Sequence, residues 1–230
     1  SMDGEWQAKR QRAATYHAQI AWEIAECARL GHTELLSRIL QSEKINSYFL
    51  NNVQLSGGKT ILQEAVMSGQ VATTKLLLIN GADPNVSHAK VGPPLLHAAA
   101  FGETGLCRSL MQSGADLQAT DSSRFTALHY AAVGGHAEVT SLLLRAGANL
   151  NARNIEGCVP LDLARDEETR QILQQRSLSG TLPGSSPYAN ISPHTQGRSG
   201  MMRQLAEEDD AEMRVIQQAA RNGGHNLERA

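Results

Sequence analysis

One period governs the middle of this chain and limits what it can fold into. Gly-Ala followed by Asp or Asn occurs at Gly81-Ala82-Asp83, Gly114-Ala115-Asp116 and Gly147-Ala148-Asn149, at steps of 33 residues. A second glycine keeps the same step at Gly69, Gly102 and Gly135, and a leucine keeps it at Leu62, Leu95, Leu128 and Leu161. These markers in one register define a tandem repeat. Units of this length bury their apolar faces only by stacking on one another.

Each unit reads as two short helices. In the best-defined unit Ala127 to Val133 is a small-residue helix, broken at Gly134-Gly135. A second helix follows over Glu138 to Arg145, with Val139, Leu142 and Leu143 on its apolar side and Gly147 at its end. The paired alanines Ala131-Ala132 let neighbouring first helices approach closely. Segments such as Asp121-Ser122-Ser123-Arg124 between units carry turn residues. With aromatic residues at only 4%, a large β-sandwich is disfavoured, and the expected class is all-α.

The stretch Thr126-Ala127-Leu128-His129-Tyr130-Ala131-Ala132-Val133-Gly134-Gly135-His136 resembles the ankyrin repeat family, whose pattern it nearly completes. Partial copies stand at Thr60-Ile61-Leu62-Gln63-Glu64-Ala65-Val66, at Pro93-Pro94-Leu95-Leu96-His97-Ala98-Ala99 and at Val159-Pro160-Leu161-Asp162-Leu163-Ala164. The resemblance implies an ankyrin-repeat solenoid of stacked helix-turn-helix pairs with hairpin loops and atypical capping repeats.

The expected organisation has four parts. Residues 1–19 form an N-terminal capping helix, on the helical spacing of Trp6, Ala13, Tyr16, Ile20 and Ile24. Residues 20–176 form an array of about five units, opening on a degenerate copy at Ile24 to His32. Gly31 to Gly69 is 38 residues, so a surplus of five lies in the connection Gln41 to Gly58. Residues 177–200 are rich in Ser, Gly, Pro and Thr and read as a flexible linker. Residues 201–230 read as an amphipathic helix through Met202, Leu205, Met213 and Ile216. Its end, Ala219-Ala220-Arg221-Asn222-Gly223, looks like the start of a second ankyrin array, so the chain is expected to continue past Ala230.

The chain offers few groups arranged for chemistry. His129 sits in the repeat motif, and no Ser, Cys or carboxylate pattern supplies a triad partner. The family resemblance implies that it ties its own loop to a neighbour through hydrogen bonds, and Asp162 holds the equivalent place in the last unit. Gly57-Gly58-Lys59-Thr60 matches the end of a phosphate loop, but the leading glycine of that motif falls at Val53. Cys27, Cys107 and Cys158 are odd in number, far apart and without zinc-ligand spacing, which fits free thiols in a reducing compartment. The acidic run Glu207-Glu208-Asp209-Asp210 lacks the surroundings of a calcium loop. No catalytic, cofactor-binding or metal-binding residue is expected.

With a net charge of −2, broad capture of nucleic acid is not expected, and no apolar run is long enough for membrane insertion. The expected function is a non-catalytic adaptor or scaffold, a monomeric array that binds another protein or peptide segment in the cytoplasm, the nucleus or both. The alternative is the substrate-recognition or regulatory segment of a larger enzyme, such as a ubiquitin ligase or kinase. The resemblance implies contact through the concave face and hairpin tips, which places Lys59, Met67, Lys90, Phe101, Ser123, Phe125, Val133, Arg153 and Ile155 against the partner. Phe101, Phe125 and Met67 are candidate anchors, although Phe101 and Phe125 read equally as packing on a neighbouring hairpin. The resemblance also implies hydroxylation of a hairpin asparagine with a leucine eight residues upstream, as at Asn85 with Leu77 and Asn151 with Leu143.

Overall fold

A computed structural model describes residues 18–42, 45–55, 57–86 and 92–178. The expected helix over 1–17, and everything expected of 179–230, lie outside the described residues. Residues 18–30 form helix α1, which runs unbroken across the boundary expected at residue 19. The helices that follow are α2 (Thr33–Ser42), α3 (Ser47–Asn52), α4 (Ile61–Met67), α5 (Val71–Ile79), α6 (Pro94–Phe101) and α7 (Thr104–Gln112). Then come α8 (Ala127–Gly134), α9 (Ala137–Ala146), a 3-10 turn (Pro160–Leu163) and α10 (Glu167–Leu178). No strand occurs among the described residues.

The helices form two rows. Helices α4, α6, α8 and the 3-10 turn pack in an inner row, and α2, α5, α7, α9 and α10 in an outer row. One core runs between them, through Ile24, Leu36, Leu62, Leu77, Leu95, Leu106, Leu110, Leu128, Leu143 and Leu173. The inner helices touch through Ala65, Ala98, Ala99, Ala131 and Ala132, all fully buried, because a methyl side chain lets the backbones close up. The five surplus residues before Gly69 accommodate α3, which is tied to the end of the second unit. Asn51 donates to Gly81 O at 3.2 Å and accepts from Asp83 N–H at 2.8 Å.

Neighbouring units are laced by polar side chains at repeat positions. Asn85 donates to Gly114 O at 2.9 Å and accepts from Asp116 N–H at 2.8 Å, as Asn51 does one unit earlier. Gln118 continues this ladder to Gly147 O at 3.4 Å. On the inner row, His136 Nε2 meets Ala100 O at 2.9 Å and its ring lies over Gly102. A Cβ at Gly102 would stand 2.5 Å from that ring, and its φ is +73°, so the position needs glycine twice over. Gln70 reaches Arg29 O from the equivalent place, at 3.3 Å, which sets α1 as the inner helix of a first unit.

The starts of the inner helices show why the degenerate motifs work. Thr126 caps α8: its hydroxyl lies 2.9 Å from His129 Nδ1, and its N–H donates to the same nitrogen at 3.2 Å. A backbone N–H only donates, so Nδ1 is the acceptor and Nε2 carries the proton that reaches Cys158 O at 3.2 Å in the next unit. Gln63 does the same work for α4, accepting from Thr60 N–H at 2.7 Å and donating to Gly92 O at 2.6 Å. Asp162 accepts from Val159 N–H at 3.0 Å, which closes the terminal turn without a bridge.

Burial holds the His129 pKa below the ordinary histidine range. Protonation at Nδ1 would also break the bond from Thr126 N–H, although the Thr126 hydroxyl can turn to accept. A depressed histidine pKa contributes stability above the unfolded value of about 6.5, and that contribution is lost as pH falls below it. His129→Gln, which copies Gln63, is expected to fold and to show a flatter dependence of unfolding free energy between about pH 7.5 and 5. Equal pH slopes for the variant and the parent in chemical denaturation would contradict this assignment.

Candidate functional site

The inner helices leave one face outside the core. On α1 the buried stripe is Ile20, Ile24, Cys27 and Ala28, so Trp22, Glu26 and Arg29 at i, i+4 and i+7 lie on the opposite side. Trp22 is 65% exposed. On the inner helices that follow, Met67, Phe101 and Val133 are exposed, at 37%, 54% and 44%. Met67 and Val133 occupy the same repeat position two units apart, with the smaller Ala100 between them. Met67, Phe101 and Val133 lie near the ends of their helices, whereas Trp22 stands seven residues before Arg29, which holds the Met67 position, so the exposed apolar side chains on successive inner helices are discontinuous. The charges on this face are matched locally: Arg29 pairs with Glu26, and Lys59 Nζ stands 2.5 Å from Glu64 Oε2.

The loops between units form fingers beside this face. Ser123 O accepts from Ile155 N–H at 3.1 Å, which links two successive fingers. Within the earlier finger, Asp121 accepts from Ser123 N–H, Phe125 N–H and the Tyr130 hydroxyl, at 2.9, 2.8 and 2.7 Å. Burial, reinforced by Asp121, pushes the Tyr130 pKa up to about 12. Asn154 replaces Asp121 in the next finger and accepts from Glu156 N–H and Cys158 N–H at 3.0 and 2.9 Å. Leu163 stands where Tyr130 would recur, and the Asn154 side-chain amide nitrogen is left buried without a partner.

The residues named from sequence divide on this geometry. Met67, Phe101, Val133, Arg153 and Ile155 are exposed. Lys59 is half-buried and engaged with Glu64, and Ser123 is half-buried with its carbonyl committed to the next finger. Lys90 lies outside the described residues. Phe125 is not a free anchor: it is half-buried, with its ring centroid 5.4 Å from those of both His129 and Tyr130. It packs on its own unit, because the finger folds back over the start of α8. Asn85 is half-buried with both ends of its amide bonded, whereas Asn151 is exposed at the end of that ladder. Trp22 was not among the named residues, although its place two residues off the Ile20–Ile24 stripe is legible as an exposed apolar position.

Cys107 is fully buried and its pKa is pushed up to about 12 by that burial; burial also raises Cys27. A thiol so disfavoured as thiolate is a poor nucleophile. Among the described residues no group of His, Cys, Asp and Glu could hold a metal ion, and no helix is long and apolar enough to cross a membrane.

Stacked helical pairs with one exposed inner face define an all-α repeat solenoid. An ankyrin repeat model matches residues 57–89, and a model of three ankyrin repeat copies matches residues 89–174. The chain belongs to the ankyrin repeat family, whose repeats are generally protein–protein interaction modules and typically non-catalytic. A comparison with curated proteins finds no match. The matched region begins after α3, so α1 and α2 add a unit ahead of it.

Proposed function

We propose that this protein is a non-catalytic adaptor that binds another protein along Trp22, Met67, Phe101 and Val133. The finger residues Lys59, Arg153 and Ile155 form the edge of that surface. The observation that carries this reading is the set of large apolar side chains left exposed on successive inner helices, where small or polar residues would serve the fold as well. Exposed apolar patches with polar edges are the usual make-up of a specific interface. The array acts as a monomer towards its partner. The free cysteines, two of them buried, fit a cytoplasmic or nuclear location.

Site-specific photo-cross-linking tests the reading. A benzophenone side chain at Phe101 is expected to capture a discrete partner in cells, and the same group at Arg145, on the outer row, is not. Capture from Arg145 alone would move the site to the opposite surface.

Of the two candidate hydroxylation sites, Asn151 is the one we propose to be modified. Its exposure permits an enzyme to reach it, while Asn85 would first have to release Gly114 O and Asp116 N–H. Incubation with an asparaginyl hydroxylase and peptide mass spectrometry should show the added oxygen at Asn151. Modification confined to Asn85 would reverse this choice.

A further inference from the structure

The three described fingers share one turn. Leu55, Asp121 and Asn154 donate their N–H to the carbonyls of Lys59, Phe125 and Cys158, at 2.8, 3.2 and 3.1 Å. Each turn is closed by a return bond from Gly58, Arg124 or Gly157 N–H, at 2.9, 3.1 and 3.0 Å. The closing residue has a φ of +76°, +60° or +83°, the left-handed region. Two of the turns use glycine there, the residue with no steric penalty. The third uses Arg124, the only described non-glycine residue with positive φ.

The fold gains no visible return for that strain. Arg124 is exposed, and its guanidinium makes no hydrogen bond or ion pair among the described residues. Asp121, the acid nearest to it in sequence, is occupied by its three donors. Ile155, 64% exposed, is held beside the turn by its N–H bond to Ser123 O, and the His129 bond to Cys158 O fixes the second finger. Arg153 is spent partly on Gly157 O at 2.6 Å, and Glu156 is the acid exposed on this tip. A strained residue kept without structural benefit, on a braced and exposed turn, points to a use outside the fold.

We propose that Arg124 is a specificity-determining residue that receives a carboxylate of the partner, while Ile155 receives an apolar side chain next to it. The partner segment is an acidic peptide with Asp or Glu within a few residues of an aliphatic residue. A guanidinium presents a planar pair of donors that matches a carboxylate, and a braced turn loses little freedom on binding. This inference rests on the reading that the fingers belong to the binding surface, and it names the chemistry at their tips.

A random peptide library displayed on phage and panned against the full chain is the probe. Arg124→Gly removes the guanidinium and installs the residue of the sister turns, so its midpoint in chemical denaturation is expected to be no lower than the parent's. Parent panning should enrich acidic-aliphatic peptides. The enriched peptides, once synthesised, should bind Arg124→Gly about tenfold more weakly, with Arg124→Lys in between. A lower midpoint in Arg124→Gly overturns the strain argument. Enriched peptides that lack an acid, or that bind parent and Arg124→Gly alike, overturn the assignment; if Phe101→Ala still weakens them, the inner-face reading survives. A parent chain that enriches no peptide at all removes both.

Discussion

Leu128→Ala is expected to lower the unfolding free energy by about 2–5 kcal/mol. Leu128 is fully buried in a central inner helix, with a unit stacked on each side. Truncation removes its transfer energy and leaves a cavity that α6 and the 3-10 turn cannot both relax to fill. Native domains are stable by only about 5–15 kcal/mol, so this loss is a large fraction of the total. Leu161 holds the same repeat position but is half-buried in the terminal 3-10 turn. Leu161→Ala should therefore cost clearly less, and the contrast tests the register as well as the core. Gly114→Val is a second probe of the same register, because Gly114 has a φ of +89° and a β-branched residue there is strained. Chemical denaturation that found Leu128→Ala and Leu161→Ala equally mild, or Gly114→Val harmless, would contradict this packing.

The period made the fold legible because each marker answers one physical need. Leu62, Leu95 and Leu128 fill the core, and Gly102 and Gly135 end inner helices in the left-handed region. Thr60 and Thr126 cap helix starts. The inner-helix position of α1 was harder to read, because its helix begins before the motif and Gln70 replaces the histidine that would mark the bridge. The role of Gln63 was hidden for the same reason: a glutamine makes both bonds of a histidine without matching the pattern. The candidate site was legible only in part. Repeat position predicts that Met67, Phe101 and Val133 leave the core, since those places face away from both helix rows. It does not predict that Phe125 turns back onto His129 and Tyr130, because the path of a finger depends on its own turn bonds. Spacing does mark Arg124, which stands 33 residues before Gly157 and 66 after Gly58, but the backbone is needed to show that it adopts their left-handed conformation.

Replacing Phe101 and Val133 together by Ala is expected to weaken partner binding by about 2 kcal/mol or more, with little change in stability. Both side chains are about half exposed, so truncation removes contact area from the outer face and leaves no cavity inside. Phe125→Ala is expected to behave differently. Its ring covers His129 and Tyr130, so its loss exposes the start of α8 and lowers stability, and any loss of binding follows from that. Arg145→Ala, on the outer row, should leave affinity unchanged. Salt should matter only modestly for the inner face itself, where Arg29–Glu26 and Lys59–Glu64 are already paired. Titration calorimetry with the cross-linked partner, beside denaturation of each variant, separates these outcomes. Undiminished affinity in the Phe101/Val133 double variant, with affinity lost in Arg145→Ala, would transfer the interface to the outer row.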